Sequence, residues 1–257
     1  MIYPDYIISI ENKHIKQIKK ILTSSRSFPD FLIVEGEKHA QEFKKSSNFG
    51  LLRWFVLEGR QYDFSWMDGR DITVISQKVL AYLTDVEESQ GVIGLFATRY
   101  SLLNQEHLTY QSTFILDKIS DPGNLGTLIR SAVALGRKNL ILVDGVFPFS
   151  PKVIRASAGM IAHIKISRFT LSEISEFILQ SEIKLLKMDM KSDLVSFSSL
   201  KELNNYFVLL GNEGSGVRKE FDFFVNKKIS LPMAEKAESL NVAIAGSVMG
   251  YLLWGSL

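Results

Sequence analysis

The sequence predicts an α/β protein in two parts, and three observations point there. Short apolar runs alternate with helix-periodic segments along the chain. Small or polar residues stand where strands should hand over to loops, as in Asn124-Leu-Gly-Thr-Leu-Ile-Arg130, Gly211-Asn-Glu-Gly-Ser-Gly216 and Pro232 through Asn241. Between Thr98 and Gln111 the pattern turns polar and irregular through Asn104-Gln-Glu-His107, which sets expected domains at 1–103 and 104–257.

In the first part, Ile15, Ile18, Ile21 and Leu22 recur at helical spacing, with Lys16, Lys19 and Lys20 on one side between them. An amphipathic helix with a basic face is expected. Phe31-Leu-Ile-Val34 reads as a strand ending in the Glu35-Gly36 turn, and 37–43 as a helix. Residues 51–57, 72–75 and 91–97 read as further strands. In the second part, strands are expected at 113–116, 139–143, 183–186, 206–210 and 229–231. Helices are expected from about Asn124 to Leu135, at 174–181 and at 242–254. Ala243, Ala245, Gly246, Ser247 and Gly250 make the last helix able to pack closely.

The bulk composition excludes several classes. With 46% hydrophobic and 23% charged residues, the 257-residue chain can bury a core without staples. The absence of Cys removes disulfides, thiolate metal sites and Cys nucleophiles, and fits a reducing cytosol. No apolar run reaches membrane-spanning length, and Met1-Ile-Tyr-Pro-Asp-Tyr6 lacks the regions of a signal peptide. A cytoplasmic protein is expected. The net charge of +2 resides in residues 1–50, where eight basic residues face six acidic ones. That bias fits either a solvated helix face or a weak RNA contact.

Each loop admits two readings. Asn124 is placed to cap its helix. Arg130 flanks the stripe of Leu125, Leu128, Ile129, Ala132 and Leu135. It is either a structural Arg paired with a carboxylate or one aimed at a phosphate or a reacting hydroxyl. Gly211, Gly214 and Gly216 come directly after a strand, which serves a plain turn or a close backbone approach to a ligand. Their order is neither the dinucleotide GxGxxG nor a Walker loop, and Glu213 would repel a phosphate. Ser239-Leu-Asn241 is suited to cap the final helix. The four His residues lack metal-ligand spacing, no metal is expected, and no GxSxG elbow occurs.

Together the three stretches resemble the SpoU-type RNA ribose 2′-O-methyltransferases of the SPOUT class. Residues 114–136 are similar to that family's first motif, 207–216 to its second and 229–242 to its third, with 149–159 also similar. The likeness spans 113–254. The N-terminal half resembles the family's substrate-binding domain, a ribosomal-protein-like α/β fold, at Ile33-Val-Glu-Gly-Glu37 and Gln90-Gly-Val92. Where the family carries further basic residues ahead of Val-Glu-Gly, this chain has Ser27-Phe-Pro-Asp-Phe31.

The resemblance implies a C-terminal α/β domain with a mostly parallel sheet and a trefoil knot, a rare exception to unthreaded topology. It implies S-adenosylmethionine as cofactor, bound largely through backbone groups at Leu210, Gly211, Gly216, Leu231 and Leu240. Arg130 falls on the catalytic Arg, and Asn124, Glu213, Ser239 and Asn241 fall on its supporting polar positions. Arg130 is expected to orient the hydroxyl and phosphate, since Arg is a poor base. RNA contact is expected at Lys16, Lys19, Lys20 and Arg26. A homodimer is implied, with each active site completed by the partner chain. Ribosomal RNA is the expected target. Transfer RNA, or a non-catalytic RNA-binding or ribosome-assembly role, is the alternative.

Overall fold

The computed structural model describes residues 5–62, 64–67, 71–99, 102, 112–189, 203, 205–234, 236 and 239–255. The polar stretch 104–107, on which the sequence places the domain boundary, lies outside them, as does Glu238. The chain forms two compact units, 1–101 with 149–163 and 102–148 with 164–257. Residues 149–163 thus group with the first unit although motif-bearing segments flank them on both sides.

The first unit holds β1 (Tyr6–Ile7), α1 (Lys13–Thr23), β2 (Phe31–Glu35), α2 (Glu37–Lys45), β3 (Phe49–Leu57), β4 (Ile72–Ile75), α3 (Gln77–Leu83) and β5 (Val92–Thr98). The sheet runs β1-β4-β3-β5-β2, parallel at its β1, β4 and β3 side and antiparallel through β5 to β2. Helix α1 is the expected amphipathic one. Asn12 accepts from the His14 N–H as its cap, and Ile15, Ile18 and Ile21 are buried with Val79, Leu80 and Leu83 of α3. Ile33 of β2 joins that cluster. An aromatic cluster forms separately from Trp54, Phe96 and Phe43. The β1 strand and α3 are additions to the sequence reading. Two residues, or seven, are too few for periodicity to declare them.

Within 149–163 the chain forms helix α5 (Pro151–Ala156), capped by Ser150, whose side chain accepts from Val153 N–H. Phe149 packs edge-on to Phe49 at 5.6 Å, and His163 Nε2 meets Glu42 Oε2 at 2.7 Å.

Among the described residues the second unit contains α4 (Pro122–Ala134), α6 (Leu171–Leu179) and α7 (Val242–Trp254) with six strands. These are β6 (Phe114–Asp117), β7 (Asn139–Val143), β8 (Lys165–Phe169), β9 (Lys184–Met188), β10 (Tyr206–Leu210) and β11 (Val225–Ile229). The sheet order is β11-β9-β10-β6-β7-β8, and every pair is parallel. Strands β6 and β7 are buried throughout, as expected when helices cover both faces. Ile115, Leu209 and Phe207 face a cluster with Ile174, Ile178 and Phe221. Phe114 and Leu210 face α7 instead.

Helices α4 and α7 pack against each other, with Ser131 Oγ and Ser247 Oγ 2.6 Å apart. The small residues expected in α7 are needed there: a Cβ on Gly246 would lie 2.6 Å from both Leu128 and Leu210 side chains. Strand β8 is absent from the sequence reading, and two further elements are displaced from it. The expected 229–231 strand is β11 at 225–229, because Asn226, Lys227 and Lys228 hide an edge strand among polar residues. The expected 174–181 helix is α6 at 171–179, started by a capping box of Thr170 and Glu173. Among the described residues no helix is long and apolar enough to cross a membrane.

Candidate functional site

Because β6 and β10 are neighbours in a parallel sheet, the loops after them leave the same end side by side, where open α/β sheets bind ligands. Asp121, not Asn124, caps α4, its Oδ1 accepting from the Asn124 N–H at 2.7 Å. Pro122 at the helix start shifts the cap upstream of the expected position. That leaves the Asn124 side chain available for other partners. Its Nδ2 donates to Glu213 Oε1 at 2.9 Å, and its Oδ1 accepts from Asn241 Nδ2 at 2.9 Å. Asn241 is the cap of α7 that the sequence predicts, accepting from the Ala243 and Ile244 N–H groups. One chain of hydrogen bonds therefore ties all three motif segments together.

Glu213 is at the centre of that chain. Its Oε2 accepts from Ser120 Oγ at 2.9 Å and from Asn212 Nδ2 at 3.2 Å. Partial burial alone would raise its pKa, but the donors from Asn124 and Ser120 outweigh burial and hold the carboxyl below its ordinary value. With both oxygens occupied, Glu213 acts as an organiser of the loops rather than as an open base.

The glycine loop closes on itself. Asn212 and Gly216 exchange backbone hydrogen bonds at 3.1 and 2.9 Å. A Cβ on Gly211 would lie 2.1 Å from Gly216 C and Val217 N, so the close approach required there is to the loop's own backbone. Gly216 adopts φ +69°, the left-handed region.

Beside this loop lies a cleft of about 530 Å³, bordered by Leu210, Gly211, Gly216, Leu231 and Leu240, with Glu213, Ser239 and Asn241 at it. All the residues expected at the cofactor thus meet at one cavity. Its size lies within the range of small-molecule sites. Leucine side chains beside strand-end and loop backbone fit a purine ring and its hydrogen-bonding edge, and Glu213 leaves a cationic rather than a phosphorylated ligand favoured. S-adenosylmethionine meets both conditions.

Arg130 is placed elsewhere. It does not border the cleft and lies six residues past Asn124, about 9 Å further along α4. Rather than half-buried against the apolar stripe, it is exposed in a row with Gly123, Thr127 and Ala134. It makes no hydrogen bond or ion pair with the described residues. The reading of Arg130 as a structural, carboxylate-paired Arg is therefore set aside.

That structural role belongs to Arg218, which the sequence reading missed. Its Nε donates to Asp117 Oδ1 at 2.7 Å, its backbone N–H to Asp117 Oδ2 at 2.8 Å, and its Nη1 lies 2.9 Å from Asp144 Oδ2. Asp117 is completely buried at the end of β6. Asp144, after β7, holds a positive φ of 58°, a region Asp enters more readily than most residues. Ser120 and Asn212 were missed as well. Asn212 carried a usable signal: Asx side chains turn their own backbone, and here its Oδ1 accepts from the Gly214 and Ser215 N–H groups.

The basic residues expected to meet RNA lie in the first unit with unequal surroundings. Lys16 is ion-paired to Glu11 at 2.5 Å, while Lys20 and Arg26 are both exposed. Lys19 is half-buried, its amino group donating to the Tyr82 carbonyl at 2.6 Å.

The family model described as "SpoU rRNA Methylase family" matches residues 111–251, more than half of the chain. The chain belongs to that family. It is 26% identical to the 23S rRNA (guanosine(2553)-2′-O)-methyltransferase RlmP of Bacillus subtilis, over 97% of this chain and 99% of that protein. A 23S rRNA (adenosine(1067)-2′-O)-methyltransferase of Streptomyces azureus is 29% identical over 51% of this chain and 49% of its own length. Among solved structures, an AdoMet-bound rRNA methyltransferase from Sinorhizobium meliloti superposes with a TM-score of 0.81 at 26% identity, covering 96% of each chain. In this SpoU family member the matched segment takes in most of the second unit, including the three motif loops and the cleft.

Proposed function

We propose that this SpoU family member methylates a ribose 2′-hydroxyl in ribosomal RNA. It is an S-adenosylmethionine-dependent RNA ribose methyltransferase. The observation that carries the reading is the cleft itself, where segments 211–216, 229–231 and 239–241 of the family motifs converge beside the Glu213 network. Leu210, Gly211, Gly216, Leu231 and Leu240 would hold the cofactor, which supplies an electrophilic sulfonium methyl. Ser120, Asn124, Asn212 and Asn241 fix the loops around Glu213, so the cavity is shaped before substrate arrives. Ser239 borders the same cavity and is assigned a polar contact there.

Arg130 is assigned to the substrate. Its fixed fork orients the reacting hydroxyl and the adjacent phosphate, which is chiefly a positioning role. Because it lies away from its own chain's cleft, we assign it to the cleft of a second copy. Support comes from the neighbouring helix: Leu240, Ile244, Val248 and Tyr251 expose an apolar row at the start and along α7. Helix α4 presents Gly123, Thr127, Arg130 and Ala134 next to it. A homodimer joined through these helices would cover the row and deliver Arg130. The same reading includes the family's trefoil knot and a cytoplasmic location with the RNA.

Calorimetric titration with S-adenosylmethionine tests the reading, together with mapping of 2′-O-methyl positions in ribosomal and transfer RNA with and without the gene. Saturable cofactor binding and one lost ribosomal site are expected. A lost transfer-RNA site would move the target, and absence of cofactor binding would overturn the enzyme.

A further inference from the structure

Phe223 is 83% exposed, more than any other large apolar residue described. It ends a 3-10 turn at Lys219–Phe223 whose other aromatic residues are held inward: Phe221 is fully buried, and Phe224, just beyond the turn, packs against the same core. The Phe224 ring meets Phe223 edge-on, 5.3 Å between centroids and 88° between planes. Phe223 is therefore a propped ring with an open face, not a loose side chain. The turn begins directly after Arg218, which Asp117 and Asp144 anchor.

The strand that leaves this turn gives the ring a direction. Strand β11 starts at Val225, forms the edge of the described sheet and ends at Ile229, which borders the cleft. Its length is about 13–16 Å. Asn226, Lys227 and Lys228 are exposed along it. Asn226 Oδ1 accepts from Leu185 N–H at the bulge, so the polar edge is structurally secured. Lys187 first, and then Lys228 and Lys219, hold the Asp222 carboxyl beside Phe223 below its ordinary value, which places these cations around the turn. Asp222 itself is bonded to Lys187 at 2.6 Å. Glu220 is exposed nearby and lowers the local excess.

Lysines on an edge strand are explained by protection of the edge alone. An open aromatic ring at the head of that strand is not. We propose that Phe223, Lys219 and Lys228 form a second RNA contact, with a base stacked on Phe223 and phosphates passing these lysines toward the cleft. The occupant is a single-stranded segment flanking the methylated nucleotide. An aromatic face with a row of cations is the chemistry that binds such strands without reading sequence. The contact rests on the methyltransferase reading, because it takes the same RNA to the same cleft.

The test uses full-length protein and a fluorescein-labelled single-stranded oligouridylate, with S-adenosylmethionine binding measured separately by calorimetry. Phe223→Ala is expected to weaken RNA binding about tenfold, with Phe223→Trp restoring it. Lys219→Ala with Lys228→Ala is expected to flatten the salt dependence by about 0.7 per lysine. Cofactor affinity should be unchanged in all of them. RNA affinity of Phe223→Ala within about twofold of the unsubstituted chain overturns the contact. So does dissociation of a dimer by Phe223→Ala in sedimentation, which would make the ring a contact between copies. Loss of cofactor binding in the unsubstituted chain would instead strike the methyltransferase reading, and it is read in a separate measurement.

Discussion

Arg218 and Arg130 belong to the same unit and flank motif loops, yet their surroundings are opposite. Arg218 is held by a fully buried carboxylate and a second one after β7. Arg130 is exposed and meets no polar partner among the described residues. A buried Arg must be paired because its charge is costly to desolvate. An exposed Arg on a helix face needs no partner, and one flanked by Gly123, Thr127 and Ala134 has room for a bulky substrate around it. The difference separates the Arg that builds the loops from the Arg available to act.

The sharpest way to break that contrast is to remove each Arg in turn and compare the losses. Arg218→Ala leaves Asp117 buried without its partner, and a loss of about 3–5 kcal/mol in stability is expected by urea unfolding of the second unit's transition. Asp117→Asn in the same background should recover part of the loss, since the stranded charge is gone. Arg130→Ala should leave stability within about 0.5 kcal/mol. Its methyl transfer should fall by about a hundredfold or more, with cofactor affinity retained. If Arg130→Ala unfolds the protein, or Arg218→Ala leaves its stability intact, the division between them is wrong. Mixing inactive Arg130→Ala chains with chains carrying Gly211→Val should restore activity if Arg130 serves its partner's cleft. A Cβ at 211 has no room against the Gly216 and Val217 backbone, so that chain is expected to lose its own cavity while keeping its Arg130.

Glu213 sharpens the contrast from the other side, as a charged residue that is busy without being buried. Glu213→Gln must turn an NH2 toward the Nδ2 of Asn124 or of Asn212, where only an acceptor fits. Cofactor binding about five- to tenfold weaker is expected by calorimetry. The carboxyl is held below its ordinary value of 4.5 in the folded chain. Its stabilisation is therefore complete above that pH and disappears as pH falls through the lowered value. The acid limb of the stability profile should be shallower in Glu213→Gln, and an unchanged limb would show that the network carries no weight.

Much of this is legible in the sequence alone. Strand β10 reads as an apolar run halted by glycine, and α7 as a small-residue helix capped by Asn241; both stand as expected. The convergence of Leu210, Leu231, Leu240 and Glu213 on one cleft agrees with motif order in a parallel sheet. The Arg218–Asp117 pair is not legible, because its partners are 101 residues apart and neither periodicity nor spacing links them. The cap at Asp121 is missed when Asn124 is taken as the helix start, although Pro122 marks it. Strand β11 is displaced because an edge strand carries polar residues that mask the alternation.

The smallest effects concern the basic face of α1, where three lysines share a side but not an environment. Lys20 is exposed, Lys16 is engaged by Glu11, and Lys19 bonds the Tyr82 carbonyl while lying 5.0 Å from that ring's centroid. If the face meets RNA, each lysine that neutralises a phosphate contributes about 0.7–0.9 to the slope of log affinity against log salt. Lys20→Ala should then flatten the slope by about that amount. Lys16→Ala should do less, because part of its charge is already answered by Glu11. Lys19→Ala should leave the slope unchanged and cost stability, since it removes a hydrogen bond between α1 and α3. Equal slopes for all three variants would make α1 a solvated face, and would leave RNA recognition to the second unit.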